Sequence, residues 1–297
     1  MNIYWNEEYC APQTNFETFQ KSRLIVEQLT KDPDPSIAIC DPADVGGSLA
    51  TAQRQVEKYT NTEYLQAVMT GQPRGLAETN GFSWDDGVYR SVINSTAGIL
   101  CAIDDLIETD ELTSGSLSSG LHHANASRGM GFCTINSLAI GALYAREKGK
   151  KVAILDLDAH CGGGTNSMIA NTTIAHFDLS ISGLDHYQNT EMNPWSILRV
   201  TQADNEQYLQ EVDDMLSKLV AFGPEIVLYN AGVDISPSID MFYCAMRDAL
   251  VAKRLCNDNN IKTMVVCAGG YGDYDQVAWQ HTLTFTAFSK RDADVNA

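Results

Sequence analysis

Positive charge is scarce in this sequence: 20 Lys and Arg stand against 38 Asp and Glu, a formal net charge of -18. No local basic cluster offsets that balance, so direct nucleic acid binding is not expected. An acidic surface would tolerate a cationic partner or substrate without requiring one. Long hydrophobic runs are missing too, which argues against membrane insertion. The opening MNIYWNEEYC has no basic region followed by an apolar run, so no signal peptide is expected. There is no CxxC pair. Eight cysteines stand singly at 10, 40, 101, 133, 161, 244, 256 and 267, several of them in apolar runs. That usage fits reduced, mostly buried thiols in a cytoplasmic protein better than a disulfide scaffold. No repeat, low-complexity tract or Pro/Gly/Ser-rich linker divides the chain, so residues 1–297 read as one domain. Neither GxGxxG nor GxxxxGK[ST] occurs, so GGG at 162–164 is not a phosphate loop.

What is present is an alternation of helical and strand-like patterns. FQKSRLIVEQLT, TEYLQAVMTG, INSLAIGALYAREKG, EQYLQEVDDMLSKLVAFG and AMRDALVAKRLCNDNN carry helical periodicity. Gly71, Gly149 and Gly223 sit where C-terminal stops belong. GVYRSVINSTAGILCAIDDLIE reads as one long helical stretch with an interruption near Gly98. SIAIC, KVAILDLD, NTTIAHFDLS, EIVLYN and IKTMVVCAGG read as strands, apolar throughout rather than alternating. Strands of that kind belong to a mainly parallel sheet covered by helices on both faces.

In such folds ligands bind at the carboxyl ends of the strands. DLDAH, NAGVD and AGGY fall at such ends, and GLHHA at 120–124 precedes a helix. Asp158 and His160 are two apart, so both face one side if strand geometry persists. Asp234 would add a carboxylate as third ligand, leaving positions open as catalytic zinc requires. The competing reading makes His160 a loop cap and Asp158 an acceptor of backbone bonds. Adjacent histidines such as His122 and His123 are commonly mere loop residues. Facing a metal site, one becomes a general base and the other an electrostatic helper or general acid. Asp156 shares the face of Asp158 and is a candidate partner behind a histidine. Tyr271, after two glycines, could donate its hydroxyl to a developing oxyanion. Cys133 and Cys161 show no sign of thiol activation and read as packed thiols.

Four blocks together resemble the histone deacetylase superfamily: SSGLHHANASRGMGFCTINSLAIGAL, KVAILDLDAHCGGG, IVLYNAGVD and VVCAGGYG. DLDAH and YNAGVD are closest in form to its class IV branch. The resemblance implies a three-layer αβα fold of the arginase–deacetylase type, built on an eight-stranded, mainly parallel sheet. It implies Zn(2+) held by Asp158, His160 and Asp234, with a structural monovalent cation such as K(+) as a further expectation. His122, His123 and Tyr271 would be catalytic, with Asp156 behind His122. Gly131 and Phe132 would line an acyl-lysine channel. The implied reaction is hydrolysis of an Nε-acyl-lysine amide, acetyl or longer. The acylated partner would be a protein, a peptide or a small amine such as an acylpolyamine, and a catalytically weak acyl-binding relative is the non-enzymatic alternative.

Two departures limit the match. The family commonly has Asp or Asn where this chain has Gly163, and that side chain orients the second histidine. His123 is therefore expected to rely on another partner, such as a backbone carbonyl or water. The rim aspartate that grips substrate backbone has no clear counterpart, since Asp85 and Asp86 are off register. The related ureohydrolases, with two manganese ions, fit less well: Gly162 replaces their next metal ligand, and Ile235 and Ser236 follow Asp234 in place of a DxD pair.

Overall fold

Apolar runs without alternation need cover on both sides, and the central strands receive it. Every residue is buried in β4 (Val152–Asp156), β5 (Ala175–Ser180) and β7 (Ile226–Gly232). With β1 (Asn2–Tyr4), β2 (Ala38–Cys40), β3 (Thr113–Ser116), β6 (Ile197–Val200) and β8 (Lys262–Ala268), they form one eight-stranded sheet. The strand order is β2-β1-β3-β8-β7-β4-β5-β6, and each adjacent pair is parallel. All carboxyl ends therefore emerge on one edge. This computed structural model describes the chain apart from residues 14–16, 190–192, 237 and 291–297.

The helices are α1 (Lys21–Lys31), α2 (Ser48–Tyr59), α3 (Thr62–Thr70), α4 (Arg74–Ala77), α5 (Gly87–Glu108), α6 (Ser137–Glu147), α7 (Gly163–Ile169), α8 (Asn205–Phe222), α9 (Met241–Ala252) and α10 (Tyr274–Ser289). Alternate strand residues serve two cores. Ala153, Leu155, Val227 and Tyr229 pack with Ile25 of α1, Leu216 of α8, Val251 of α9 and Phe285 of α10. Val152, Ile154 and Leu228 pack on the other face with Ala52 of α2, Ile103 of α5, Leu138 of α6 and Ile169 of α7. Burying one such aliphatic side chain contributes about 1.5–3 kcal/mol, which is why both strand faces are apolar.

Helix boundaries follow the sequence signals. Asn136, Asp204, Asp240 and Asp273 each accept a first-turn N–H with the side chain, satisfying donors the helix leaves open. Helices α3 and α8 end at Gly71 and Gly223, as expected. The expected interruption at Gly98 is corrected: α5 runs unbroken through it. A Cβ there would stand 1.8 Å from the Tyr9 hydroxyl oxygen and 3.0 Å from Ser116 Oγ. The glycine admits the helix close to its neighbours and does not break it. The C-terminal part of the run read as helix 245–260 becomes a π-helical turn at Lys253–Asn257. Strands β1, β3 and β6 are only 3 or 4 residues long, too short to carry a pattern.

Candidate active site

Neighbouring strands β3, β8, β7, β4 and β5 deliver the polar segments to one place. The chain leaving β4 carries Asp158 and His160, that leaving β7 carries Asp234, and that leaving β8 carries Tyr271. His122 and His123 follow β3. A cleft of about 830 Å3, including its open mouth, is lined by both histidines, Asp158, Tyr271, Gly131 and Phe132.

Asp158, His160 and Asp234 converge. His160 Nδ1 lies 3.2 Å from Asp158 Oδ1 and 3.2 Å from Asp234 Oδ2. The remaining carboxylate geometry is set by backbone: His160 N donates to Asp158 Oδ1 at 2.9 Å, and Ala159 N donates to Asp234 Oδ1 at 3.2 Å. Asp234 Oδ2 is buried against the His160 ring. One ligand atom from each residue lies within 4.8 Å of the others, a spacing suited to a metal ion. Their electrostatics point the same way. Hydrogen bonding to Asp158 and then Asp234 pushes His160 up to about 10. Burial and the charge of Asp158 push Asp234 up. Two buried carboxylates on one imidazole want a cation, and this donor set fits zinc.

The tandem histidines are buried at the cleft floor, with ring centroids 4.1 Å apart. His122 Nδ1 donates to Asp156 Oδ2 at 2.8 Å, and its Nε2 lies 3.5 Å from Asp158 Oδ1. Burial would lower the His122 pKa, but the charges of Asp156 and Asp158 outweigh it and hold it well above the usual value. Asp156 is itself buried, yet His122 holds its pKa well below the carboxylate range. Its other oxygen accepts from Asn230 Nδ2 at 2.9 Å and Asp158 N at 3.2 Å.

His123 has another partner in place of the side chain missing at Gly163, and it is a carboxylate rather than a backbone carbonyl or water. Its Nδ1 donates to Asp185 Oδ2 at 2.9 Å. Asp185 comes from the segment after β5, far in sequence from the place where the family carries its acid.

Other supports lay outside the sequence reading. Asn136 Nδ2 donates to the carbonyl of Ala124 at 3.0 Å and to Thr165 Oγ1 at 2.9 Å, while Thr165 N donates to His122 O at 2.8 Å. Those bonds tie the histidine loop to α6 and α7. Lys21, fully buried, donates to the carbonyls of Cys267 at 2.9 Å and Gly269 at 2.6 Å, anchoring the segment that leads to Tyr271. Arg247, also buried, donates to Leu157 O at 3.1 Å and Gly232 O at 2.6 Å behind the metal-ligand loops. Each is a charged residue in an amphipathic helix, indistinguishable from a surface residue until the fold buries it. A second Asp–His–Asp group, Asp156, His176 and Asp178, could also hold a cation. It lies wholly in the buried sheet, and burial with the charge of Asp156 pushes Asp178 up to about 6.

Tyr271 and Phe132 flank the mouth, 48% and 43% exposed, with ring centroids 6.4 Å apart. Desolvation and then the charges of Asp158 and Asp234 hold the Tyr271 hydroxyl protonated, a donor at any working pH. Cys133 and Cys161 are pushed up to about 11 by burial and stay thiols, so neither is an activated nucleophile. Asp85 Oδ1 accepts from Gly87 N at 2.8 Å, at the start of α5.

Comparison with known proteins settles the family. The pattern described as Histone deacetylase domain matches residues 17–287. The chain belongs to the histone deacetylase domain family. It is 26% identical over 267 residues to the acetoin utilization protein AcuC of Staphylococcus aureus, spanning 77% of this chain and 66% of AcuC. An uncharacterized protein of Picosynechococcus sp. is 25% identical over 302 residues, covering 96% of this chain and 97% of that protein. The crystal structure of acetylpolyamine aminohydrolase from Burkholderia pseudomallei superposes with a TM-score of 0.77 at 18% identity, covering 97% and 98% of the two chains. The histone deacetylase fold, a three-layer α/β arrangement around a parallel sheet, is thus the fold of this chain, and its domain is a hydrolase of that family.

Proposed function

We propose that this protein is a single-domain zinc-dependent amidohydrolase that removes an acetyl or longer acyl group from an Nε-acyl-lysine side chain. One observation carries the reading. Two buried imidazoles, each bonded to its own carboxylate, stand beside an Asp–His–Asp group in the cleft that Tyr271 overlooks.

Zinc held by Asp158, His160 and Asp234 would polarise the acyl carbonyl and acidify water there. The protein's own groups do the rest. Asp185 takes the Nδ1–H of His123, which leaves the Nε2 lone pair to accept the proton of attacking water. As the water oxygen bonds to the carbonyl carbon, the Tyr271 hydroxyl donates to the developing oxyanion. The C–N bond then breaks, and His123 returns its proton to the departing amine. His122, held cationic by Asp156, stabilises negative charge without leaving its place. Phe132 and Tyr271 flank a mouth that admits a linear chain, and Gly131 borders the same channel. The buried group of Asp156, His176 and Asp178 is where a structural monovalent cation such as K(+) would sit.

A small acylated amine, such as an acylpolyamine, is the second reading. The rim aspartate that grips a peptide backbone has no clear counterpart in this chain, Asp85 being engaged at the start of α5, and the charge of -18 suits a cationic substrate.

The test is amine release by zinc-loaded protein from acetyl-, butyryl-, octanoyl- and myristoyl-lysine peptides and from acetylated polyamines. Turnover of a lysine peptide is expected. Turnover of polyamines alone selects the second reading. No turnover on any member, with zinc bound stoichiometrically, would sink both.

A further inference from the structure

The geometry points to Asp185 as the residue that positions His123, with Gly163 as the vacancy that lets it do so. This rests on the amidohydrolase reading for its catalytic consequence, though not for the pairing itself.

Three independent features make Asp185 a built part of the site rather than a passing surface acid. First, its Oδ2 accepts twice, from His123 Nδ1 at 2.9 Å and from Gly164 N at 3.1 Å. One carboxylate thus joins the tandem histidines to the glycines that follow the metal-ligand loop. Second, the segment carrying it is tied down on both sides. Cys161 N donates to Leu184 O at 3.0 Å, and the Tyr187 hydroxyl bonds His176 Nδ1 at 3.0 Å. Between them Asp185 takes a left-handed backbone, φ 60°, which Asp tolerates better than most residues. Third, the space is shared out. A Cβ on Gly163 would stand 2.4 Å from Asp185 Oδ1 and 2.4 Å from its carbonyl oxygen. A side chain at 163 and the carboxylate of Asp185 cannot both occupy that volume.

The physical consequence is a relocated dyad. An imidazole with nothing at Nδ1 samples both tautomers and rotates. One bonded to a carboxylate keeps Nδ1–H and aims Nε2 at the cleft. Asp156 does this for His122 from the sheet interior, with its side chain fully buried. Asp185 does it for His123 from a loop, with 17% of its side chain exposed. The two histidines are therefore held by independent elements, one by β4 and the other by the β5–β6 connection.

Asp185→Gly suits the left-handed backbone and removes only the carboxylate, so it is the variant of choice. In zinc-loaded full-length protein, kcat on the best substrate should fall about 10- to 100-fold, as for other residues that orient an imidazole at a metal site. KM should stay within about twofold if the loss is confined to the chemical step. Gly163→Ala should lower kcat similarly by displacing the carboxylate. Independently of turnover, 15N spectra of histidine-labelled protein should show His123 as the Nδ1–H tautomer, lost in Asp185→Gly while His122 is unchanged. An Asp185→Gly enzyme with kcat within about twofold of the parent overturns the proposal. So does an unchanged His123 tautomer. If no substrate is turned over, the amidohydrolase reading fails on its own, and the spectra still decide the pairing.

Discussion

Tyr271 combines little packing with a central place in the proposed reaction. Its ring is half exposed, so its loss should leave stability nearly intact, while its hydroxyl remains a donor because desolvation and then nearby carboxylates oppose its ionisation. Tyr271→Phe should lower kcat about 10²–10³-fold, about 2.7–4 kcal/mol, if it acts like a single oxyanion donor. Steady-state kinetics on the parent's best substrate checks this, and a drop below tenfold would remove Tyr271 from the reaction. Most of these residues were legible in the sequence, because Asp158, His160, Asp234 and the tandem histidines lie in short motifs beside strand ends. Asp185 was not. It stands in SGLDHY, an ordinary polar loop, and nothing in one dimension links position 185 to 123 or 163. Lys21 and Arg247 were hidden for a related reason: charge in a helix reads as solvent-facing until packing encloses it.

At the scale of elements, Gly98 separates helix propensity from packing. Replacing a mid-helix glycine by alanine ordinarily stabilises by up to about 1 kcal/mol. In α5 the added methyl would collide with the Tyr9 hydroxyl, which itself bonds Ser116 Oγ at 3.0 Å. Gly98→Ala should therefore destabilise, by about 1–3 kcal/mol as overpacking usually does. Urea unfolding measures it, and partial recovery is expected when Tyr9→Phe is added. A stabilised Gly98→Ala protein would show that helix propensity dominates at this contact. Periodicity placed α5 over its whole length, missing only its continuity at Gly98, and it placed β4, β5, β7 and β8. It could not find β3, whose sequence TSGS has no strand character; pairing with β1 and β8 makes it a strand.

For the molecule as a whole, metal binding and folding should be linked through pH. His160 is raised to about 10 in the metal-free protein, so its contribution is fully present below an unfolded pKa of about 6.5 and is lost as pH rises towards 10. Zinc competes with that proton, so its stabilising effect should grow with pH. The expected result is a gain in Tm on adding zinc to chelator-treated protein that is larger at pH 8 than at pH 6. A gain independent of pH would exclude His160 as a ligand. The sequence alone determined the fold class, the family and the residues within each motif, because strand burial and strand-end chemistry are written locally. Tertiary structure alone decided which carboxylate serves His123. A parallel sheet gathers its carboxyl ends on one edge whatever their separation in the chain. The 62 positions that separate His123 from Asp185 in the chain therefore shrink to one hydrogen bond of 2.9 Å.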